Sequence, residues 1–513
     1  MVRKGKSRMI LLDHIARTAA EDGCRTAAVS GSESITYSEL WERSGRIASW
    51  LESMLGDDKR PLVVYGHKDP DMLVYFLACV RSGRAYCPVD VSVPVKRVSD
   101  IIEKSECPII FSADGSGIIG ELHDRAVVGK TEAEAICRDM ETCIPADRAV
   151  SGDDTFYIIF TSGSTGLPKG VKISADNLEN FLAWSSCLGD SEEEKEGGVF
   201  LNQAPFSFDL SVMDLYTSLY CGGTLFMTDK KTQQDMAALM EALQDSGLKY
   251  WVSTPSFAAL CCSEPDFSIE KMPDIKMFFF CGETLTNSVA GRLRDRFPET
   301  KIINAYGPTE TTVAVTAVEI TDWMIKSKNA LPVGTPGKNT RIEIRDGDGV
   351  SLPDDRHGEI TILGGNVSTG YFRDKHQSQK VFFGDGVRGY RTGDEGFIKN
   401  GQLNFCGRMD LQIKYHGYRI ELGDIENNLI QIPGIKAAAV LPKLRNGSIK
   451  NLVGFVTGMG CPDDSFAEGS RIRAGLREKL PDYMVPRKII FLEDMPITDN
   501  GKIDRKALGR MIG

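Results

Sequence analysis

Phe156-Tyr-Ile-Ile-Phe160 runs directly into Thr161-Ser-Gly-Ser-Thr-Gly-Leu-Pro-Lys-Gly170, and this junction decides how the chain is read. Five large apolar residues in a row, with no polar alternation, predict a buried strand. The segment that follows is made of hydroxyls and glycines and ends in a lysine. Glycines let the backbone turn tightly and face its N–H groups toward an anion; Ser and Thr add donors, and lysine adds charge. That combination predicts a phosphate-binding loop over Thr161, Ser162, Gly163, Ser164, Thr165, Gly166 and Lys169. A flexible Ser/Gly turn is the alternative, and the strand before it and the lysine after it count against that. The loop is not a Walker motif, because Gly170 stands where the magnesium-binding Ser or Thr would follow the lysine.

Around this junction, strand and helix patterns alternate. Ser38 to Met54 carries apolar residues at helical spacing, followed by a strand (Leu62 to Tyr65), a helix (Asp69 to Arg81) and a strand near Ala85 to Pro88. A helix over Val95 to Lys104 and a strand over Pro108 to Phe111 continue the series, which resumes after residue 150 and runs to about residue 320. Such alternation predicts parallel sheets covered by helices. From about residue 332 short strands with Gly and Asp turns, such as Ile342-Glu-Ile344 and Asp346-Gly-Asp-Gly349, predict a β-rich subdomain. Residues 410–513 carry strands and helices of their own and read as a small α+β domain, against an N-terminal α/β core of residues 1–409. The acidic stretch Asp190 to Glu196 reads as a solvated loop.

A chain of 513 residues exceeds what one hydrophobic core organises. Its net charge of -10, from 61 basic and 71 acidic side chains, argues against bulk nucleic-acid binding, for which a basic face supplies the affinity. Basic residues open the chain (Arg3, Lys4, Lys6, Arg8), but the apolar run behind them covers only Met9 to Leu12, too little for a secretory signal. The longest apolar stretch, Val74 to Val80, is too short to cross a bilayer, so no membrane insertion is expected and the cytoplasm is the default location. The thirteen cysteines and six histidines show no metal-ligand spacing.

Further motifs follow the loop in a fixed order: Asn304-Ala-Tyr-Gly-Pro-Thr-Glu310, Tyr390-Arg-Thr-Gly-Asp394, Gly407-Arg-Met-Asp410, Gly417-Tyr-Arg-Ile-Glu421 and Asn500-Gly-Lys-Ile-Asp504. Together with Thr161–Gly170 the set resembles the adenylate-forming superfamily, which holds acyl-CoA synthetases, luciferases and amino-acid adenylation domains. The likeness covers nearly the whole chain. It implies ATP as co-substrate and magnesium as cofactor. It also implies a nucleotide site formed by the loop with Asn304, Ala305, Tyr306, Gly307, Thr309, Asp394 and Arg408. Tyr306 would stack on adenine, Asp394 would take the ribose hydroxyls, Arg408 would donate to ribose or phosphates, and Glu310 would offer a hard oxygen to the metal. Thr309 would lie near the α-phosphate, and Lys502 would steady the charge that develops during adenylation. Each of these residues, met alone, would read as a core aromatic, a turn or a solvated charge. The resemblance further implies a C-terminal domain that rotates about a hinge at Asp410 between two half-reactions.

Asn202-Gln-Ala-Pro-Phe-Ser-Phe-Asp-Leu-Ser-Val-Met-Asp-Leu-Tyr216 addresses the acid that is activated. In amino-acid activating members an aspartate at the position of Asp209 pairs with the substrate ammonium, which gives a costly carboxylate a reason to be there. The alternative is a helix N-cap ahead of Leu210-Ser-Val-Met213. Phe278-Phe-Phe-Cys-Gly-Glu-Thr-Leu285 puts Cys281 where many relatives have a small residue, and the pattern resembles D-alanine:carrier-protein ligases of teichoic-acid D-alanylation. In that family the cysteine packs by the substrate α-carbon, and Val313 is expected to line the same pocket; a buried structural cysteine is the alternative. Arg419-Ile-Glu-Leu-Gly-Asp-Ile-Glu426 reads equally like a peptide-synthetase adenylation domain.

The implied partners are D-alanine and a separate phosphopantetheinylated carrier protein, since the chain ends soon after Lys502 without a carrier domain of its own. Such carriers are acidic, so a basic face over Lys443, Arg445, Arg471, Arg473 and Arg477 is a candidate, against ordinary solvated charge. Two other readings stand beside this one: a stand-alone adenylation enzyme for another small amino acid, and a non-catalytic nucleotide-binding homologue.

Overall fold

The strand and helix alternation of the first half assembles into two largely parallel sheets. The computed structural model describes residues 9–114, 125–162, 168–327, 329–384, 386–409, 411–445, 448–458, 464–497 and 503–512. One sheet has six strands, in spatial order Ala126–Val128, Ile109–Ser112, Leu62–Gly66, Tyr86–Asp90, Thr155–Thr161 and Lys169–Ser174. Its first five strands pair in parallel. The apolar run Phe156–Phe160 lies within Thr155–Thr161, and Phe156 to Ile159 are buried.

The second sheet has nine strands, in the order Thr335–Pro336, Thr316–Glu319, Lys301–Tyr306, Met277–Phe280, Tyr250–Ser253, Val199–Asn202, Thr224–Met227, Thr26–Ser30 and Glu33–Thr36. The six from Lys301–Tyr306 to Thr26–Ser30 run parallel, and the strands outside them pair antiparallel. Their carboxyl ends therefore open on one edge of the sheet, where α/β proteins bind ligands. The helix predicted over Ser38 to Met54 is Tyr37–Leu55; Thr36 and Glu39 form a capping box at its start, satisfying two backbone donors.

A five-stranded antiparallel sheet follows, Thr340–Arg345, Gly358–Gly364, Gly389–Lys399 and Phe382–Phe383 in order, with Gln402–Arg408 pairing on Gly389–Lys399. Ile342, Ile344, Ile360 and Ile362 form its core together with Tyr306 and Tyr390.

The chain groups into two compact units. The first is Met1–Val91, Ser105–Ile159 and Gly170–Met409; the second is Ser92–Lys104, Phe160–Lys169 and Asp410–Gly513. In the second, a hairpin joins Gln412–Tyr415 to Tyr418–Glu421 through His416 and Gly417. Both turn residues have positive φ, as the tightest hairpin turns require. A three-stranded sheet (Ala437–Arg445, Ser448–Thr457, Lys488–Phe491) is packed by the helices Leu422–Ile430 and Ser465–Arg477 through Ile425, Leu429, Val440, Val456, Ile472 and Leu476. Among the described residues no helix is long and apolar enough to cross a membrane.

The acidic stretch Asp190 to Glu196 departs from its reading as a solvated loop. Glu192–Lys195 is a helical turn capped by Ser191, and Lys195 is fully buried. Its ammonium donates to the carbonyls of Ser186, Leu188 and Asp190 at 2.9, 2.7 and 2.5 Å, which uses its three protons. Asp190 is buried too, paired with Lys301 at 2.6 Å. The excess of acidic letters concealed a lysine that closes the loop from inside.

Candidate active site

Several of the residues singled out in the first unit lie at or beyond the carboxyl ends of parallel strands of the nine-stranded sheet. Asp209 follows Val199–Asn202, Cys281 follows Met277–Phe280, and Asn304, Ala305 and Tyr306 close Lys301–Tyr306. Phe280 pairs with Asn304, so the second and third of these strands end side by side.

Tyr306, Asp394 and Arg408 form one hydrogen-bonded cluster. The pairing of Gly389–Lys399 with Gln402–Arg408 sets Asp394 opposite Arg408. Asp394 is 2% exposed; its Oδ1 accepts from Arg408 at 2.8 Å and its Oδ2 from the Tyr306 hydroxyl at 2.5 Å. Thr392 completes the arrangement by accepting from the Asp394 backbone N–H at 2.9 Å, while its carbonyl takes a second Arg408 bond at 2.8 Å. Burial, and then the neighbouring carboxylate, raise the Tyr306 phenol well above its ordinary value, so it keeps its proton and donates. A buried carboxylate held by two donors keeps lone pairs for further hydroxyl groups, which is what a ribose diol needs.

Beyond Tyr306 the chain doubles back sharply. Val315 N–H returns to the Tyr306 carbonyl at 2.8 Å, and a Cβ on Gly307 would stand 2.6 Å from Ala314 Cα. Only glycine fits there. Thr309–Thr311 forms a 3-10 turn that buries Thr309 and Glu310. Glu310 Oε1 accepts the Tyr371 hydroxyl at 2.8 Å, and its backbone carbonyl accepts Ser368 N–H at 2.9 Å. Thr312 and Val313 both sit at positive φ, 60° and 68°. For β-branched residues that conformation costs on the order of 1–3 kcal/mol each and concentrates at functional sites. Thr312 is held by its hydroxyl on the Asn366 carbonyl at 2.8 Å, and the Val313 carbonyl faces Cys281 Sγ at 3.8 Å. Cys281 and Val313, expected to share a pocket wall, are in contact here.

Asp209 precedes the helix Leu210–Tyr220 but makes no capping hydrogen bond, so the cap alternative is not realised. It is half-buried in a segment rich in aromatic residues, Phe206 and Phe208. Its charge reaches the buried Tyr157, whose phenol is raised chiefly by burial and further by Tyr86 and Asp209.

Thr161, Ser162 and Lys169 belong to the second unit. There the Thr161 hydroxyl donates to the Lys169 carbonyl at 3.4 Å. Ser162 Oγ donates to the Arg419 carbonyl at 2.9 Å and accepts Glu421 N–H at 3.1 Å. Gly163, Ser164, Thr165, Gly166, Asp410 and Lys502 lie outside the described residues. Of the basic residues proposed as a face, Arg471 pairs with Glu468 at 2.6 Å and Arg477 with Asp482 at 3.0 Å.

Sequence reasoning missed Tyr371, Thr392 and the Lys68–Asn202–Asp214 cluster described below. Thr392 lay inside a quoted motif, Tyr390–Asp394. Tyr371 comes 61 residues after Glu310 and carried no signal of its own.

Among the described residues no group of three or more His, Cys, Asp and Glu gathers as a resident metal site. A single buried carboxylate such as Glu310 fits a magnesium ion that keeps its other positions for water and phosphate oxygens.

Residues 15–372 match the AMP-binding enzyme family, and residues 424–502 match the AMP-binding enzyme C-terminal domain. The chain belongs to the AMP-binding enzyme family. This AMP-binding enzyme is 44% identical over 98% of its length to a protein of Bacillus licheniformis named D-alanine--D-alanyl carrier protein ligase, of which 99% is covered. A protein of the same name from Bacillus cereus is 42% identical over the same shares. Among solved structures it resembles the Vibrio cholerae adenylation domain AlmE in complex with glycyl-adenosine-5'-phosphate, with a TM-score of 0.84 and 22% identity over 100% of this chain and 99% of that one. It also resembles holo-PA1221, an NRPS protein containing adenylation and PCP domains, with a TM-score of 0.82 and 25% identity over 98% and 84%.

Proposed function

We propose that this AMP-binding enzyme, acting in the cytoplasm, activates D-alanine as D-alanyl-AMP and passes the D-alanyl group to the phosphopantetheine thiol of a separate carrier protein, for teichoic-acid D-alanylation. The observation that carries the reading is Asp209. It is a half-buried carboxylate that caps no helix, in an aromatic-rich segment at the carboxyl edge of the sheet. Such a carboxylate suits a substrate that carries an ammonium group, and a fatty acid has no use for it. The name borne by relatives 42 and 44% identical along their whole length supplies the amino acid and the carrier.

In the first step the D-alanine carboxylate attacks the α-phosphorus of ATP, the bond to pyrophosphate breaks, and a mixed anhydride forms. The carboxylate is ionised at neutral pH, so the protein needs no strong base. Its work is positioning and charge stabilisation. Asp209 holds the ammonium. Cys281 and Val313 flank the α-carbon. The Tyr306–Asp394–Arg408 cluster takes the ribose and adenine. The loop Thr161–Lys169, Thr309 and Lys502 receive phosphate charge. Glu310 would hold a magnesium ion, whose charge would neutralise the phosphates. In the second step the carrier thiolate attacks the acyl carbon and AMP leaves. We assign residues 1–409 and 410–513 to the two domains, and a hinge at Asp410 to the passage between the steps.

The test is transfer of radiolabelled D-alanine to a purified phosphopantetheinylated carrier. Lys502→Ala is expected to abolish adenylation yet load the carrier from preformed D-alanyl-AMP. Equal loss in both steps would contradict this division of labour.

A further inference from the structure

A buried ammonium behind the candidate amino-acid site has no part in the mechanism above. Lys68 follows the strand Leu62–Gly66 of the six-stranded sheet and is 2% exposed. Its Nζ donates to the Asn202 backbone carbonyl at 3.2 Å, to Asn202 Oδ1 and to the Ala204 carbonyl. Three protons meet three oxygens, the full capacity of a charged ammonium. The Asn202 amide then donates from its Nδ2 to Asp214 Oδ2, so the charge is answered one residue further on. The Phe206 ring lies 4.9 Å from the ammonium and adds a cation–π contact. Burial pulls the Lys68 ammonium down, opposed by the charges of Asp214 and Asp90, and burial pushes the Asp214 carboxyl up, opposed by Lys68 and the Asn202 amide.

The partners lie in a telling order along the chain. Asn202 ends a strand of the nine-stranded sheet, Ala204 and Phe206 lie in the connection, Asp209 ends it, and Asp214 sits on the following helix Leu210–Tyr220. Lys68 thus clasps the stretch that delivers Asp209 on the near side, and through Asn202 also its far side. The adjacent His67 adds a second tie: its Nδ1 meets Asp90 at 2.6 Å and its Nε2 accepts Lys230 N–H at 3.0 Å. The tip of one strand of the six-stranded sheet is therefore tied to the segments that follow two strands of the nine-stranded one, Val199–Asn202 and Thr224–Met227.

We propose that Lys68 is a positioning residue for amino-acid recognition: its ammonium sets the 202–206 backbone and so the place from which Asp209 meets the substrate ammonium. The proposal rests on the reading of Asp209 as the ammonium ligand. A buried lysine that served only stability would cost melting temperature when removed and leave substrate affinities alone.

The experiment compares Asp209→Asn, Lys68→Met, and Lys68→Met combined with Asp214→Asn in the full chain, by ATP–pyrophosphate exchange with D-alanine and ATP varied separately. The double variant leaves no orphaned buried charge, and so returns melting temperature toward the parent value should Lys68→Met alone fold poorly. In both Lys68 proteins the KM for D-alanine is expected to rise roughly tenfold or more, as small displacements of positioning groups do, with the KM for ATP within about twofold. A parental D-alanine KM in the folded double variant, or equal rises for both substrates, overturns the proposal. Asp209→Asn separates the two claims: a raised D-alanine KM there beside parental values in the Lys68 proteins removes the clasp and keeps the ligand. A parental value in Asp209→Asn beside raised values in the Lys68 proteins retires the ammonium reading and keeps the clasp.

Discussion

Replacing Asp394 with asparagine probes the nucleotide site with the least change in shape. The carboxylate is 2% exposed and accepts from Tyr306 and Arg408 at once. An asparagine has one acceptor oxygen and one NH2. Turned toward Arg408, its oxygen keeps that bond, and its NH2 then faces the Tyr306 hydroxyl, which must rotate to accept. The internal bonds survive in weaker form, and Arg408 loses its counter-charge. The ribose loses more, because a hydrogen bond to a charged acceptor contributes about 1.5–3 kcal/mol. Two ribose hydroxyls at the lower figure amount to about 3 kcal/mol, or about a hundredfold in ATP affinity. Pyrophosphate exchange at saturating D-alanine should show the ATP KM raised by about that factor, with the D-alanine KM within about twofold. An ATP KM within about twofold of the parent would refute the assignment of Asp394 to the ribose.

Cys281→Gly removes the side chain that meets the Val313 carbonyl at 3.8 Å. If the thiol shapes the pocket by the α-carbon, the ratio of kcat/KM for D- over L-alanine should fall by about tenfold, the worth of one methyl-sized contact; an unchanged ratio assigns the cysteine to the core. Gly307→Ala sets a Cβ 2.6 Å from Ala314 Cα. Backbone must shift, at about 1–3 kcal/mol, and both melting temperature and exchange activity should drop together. Lys195→Met leaves three carbonyls without their donor and should lower the melting temperature by several degrees. Burial pulls this lysine down to about 8 from 10.5. Between those values the unfolded chain therefore binds the extra proton and stability rises with pH; calorimetry should find that rise in the parent and not in the variant.

What was legible in the sequence was what depends on neighbours in the chain. The unbroken run Phe156–Phe160 could bury itself only as a strand, and the spacing over Ser38 to Met54 fitted only a helix with one apolar face. In isolation Thr392-Gly-Asp394 reads as a plain turn, and only the resemblance assigned Asp394 and Arg408 to a nucleotide site. Strand register brings Asp394 and Arg408 together across a hairpin that turns on Asn400-Gly401, both at positive φ; the turn is a local signal, but the register shift at Glu395/Gly396 that sets Asp394 opposite Arg408 is not. The remainder depends on partners far along the chain. Lys68 and Asn202 are 134 residues apart, and a lysine in Gly66-His-Lys-Asp69 has every appearance of a solvated turn residue. The left-handed pair Thr312 and Val313 is β-branched, the residue type least expected to adopt positive φ. Packing from Asn366 and Cys281 overrides local preference there, and that support cannot be read from residues 309 to 315 themselves.

Amino-acid-dependent ATP–pyrophosphate exchange, with D-alanine beside L-alanine, glycine, D-serine and a fatty acid, tests the central claim most directly. Exchange that is strongest with D-alanine and absent with the fatty acid is the predicted result. A preference for another amino acid would keep the adenylation chemistry and contradict the substrate, and no exchange with any acid would contradict the assignment as an enzyme.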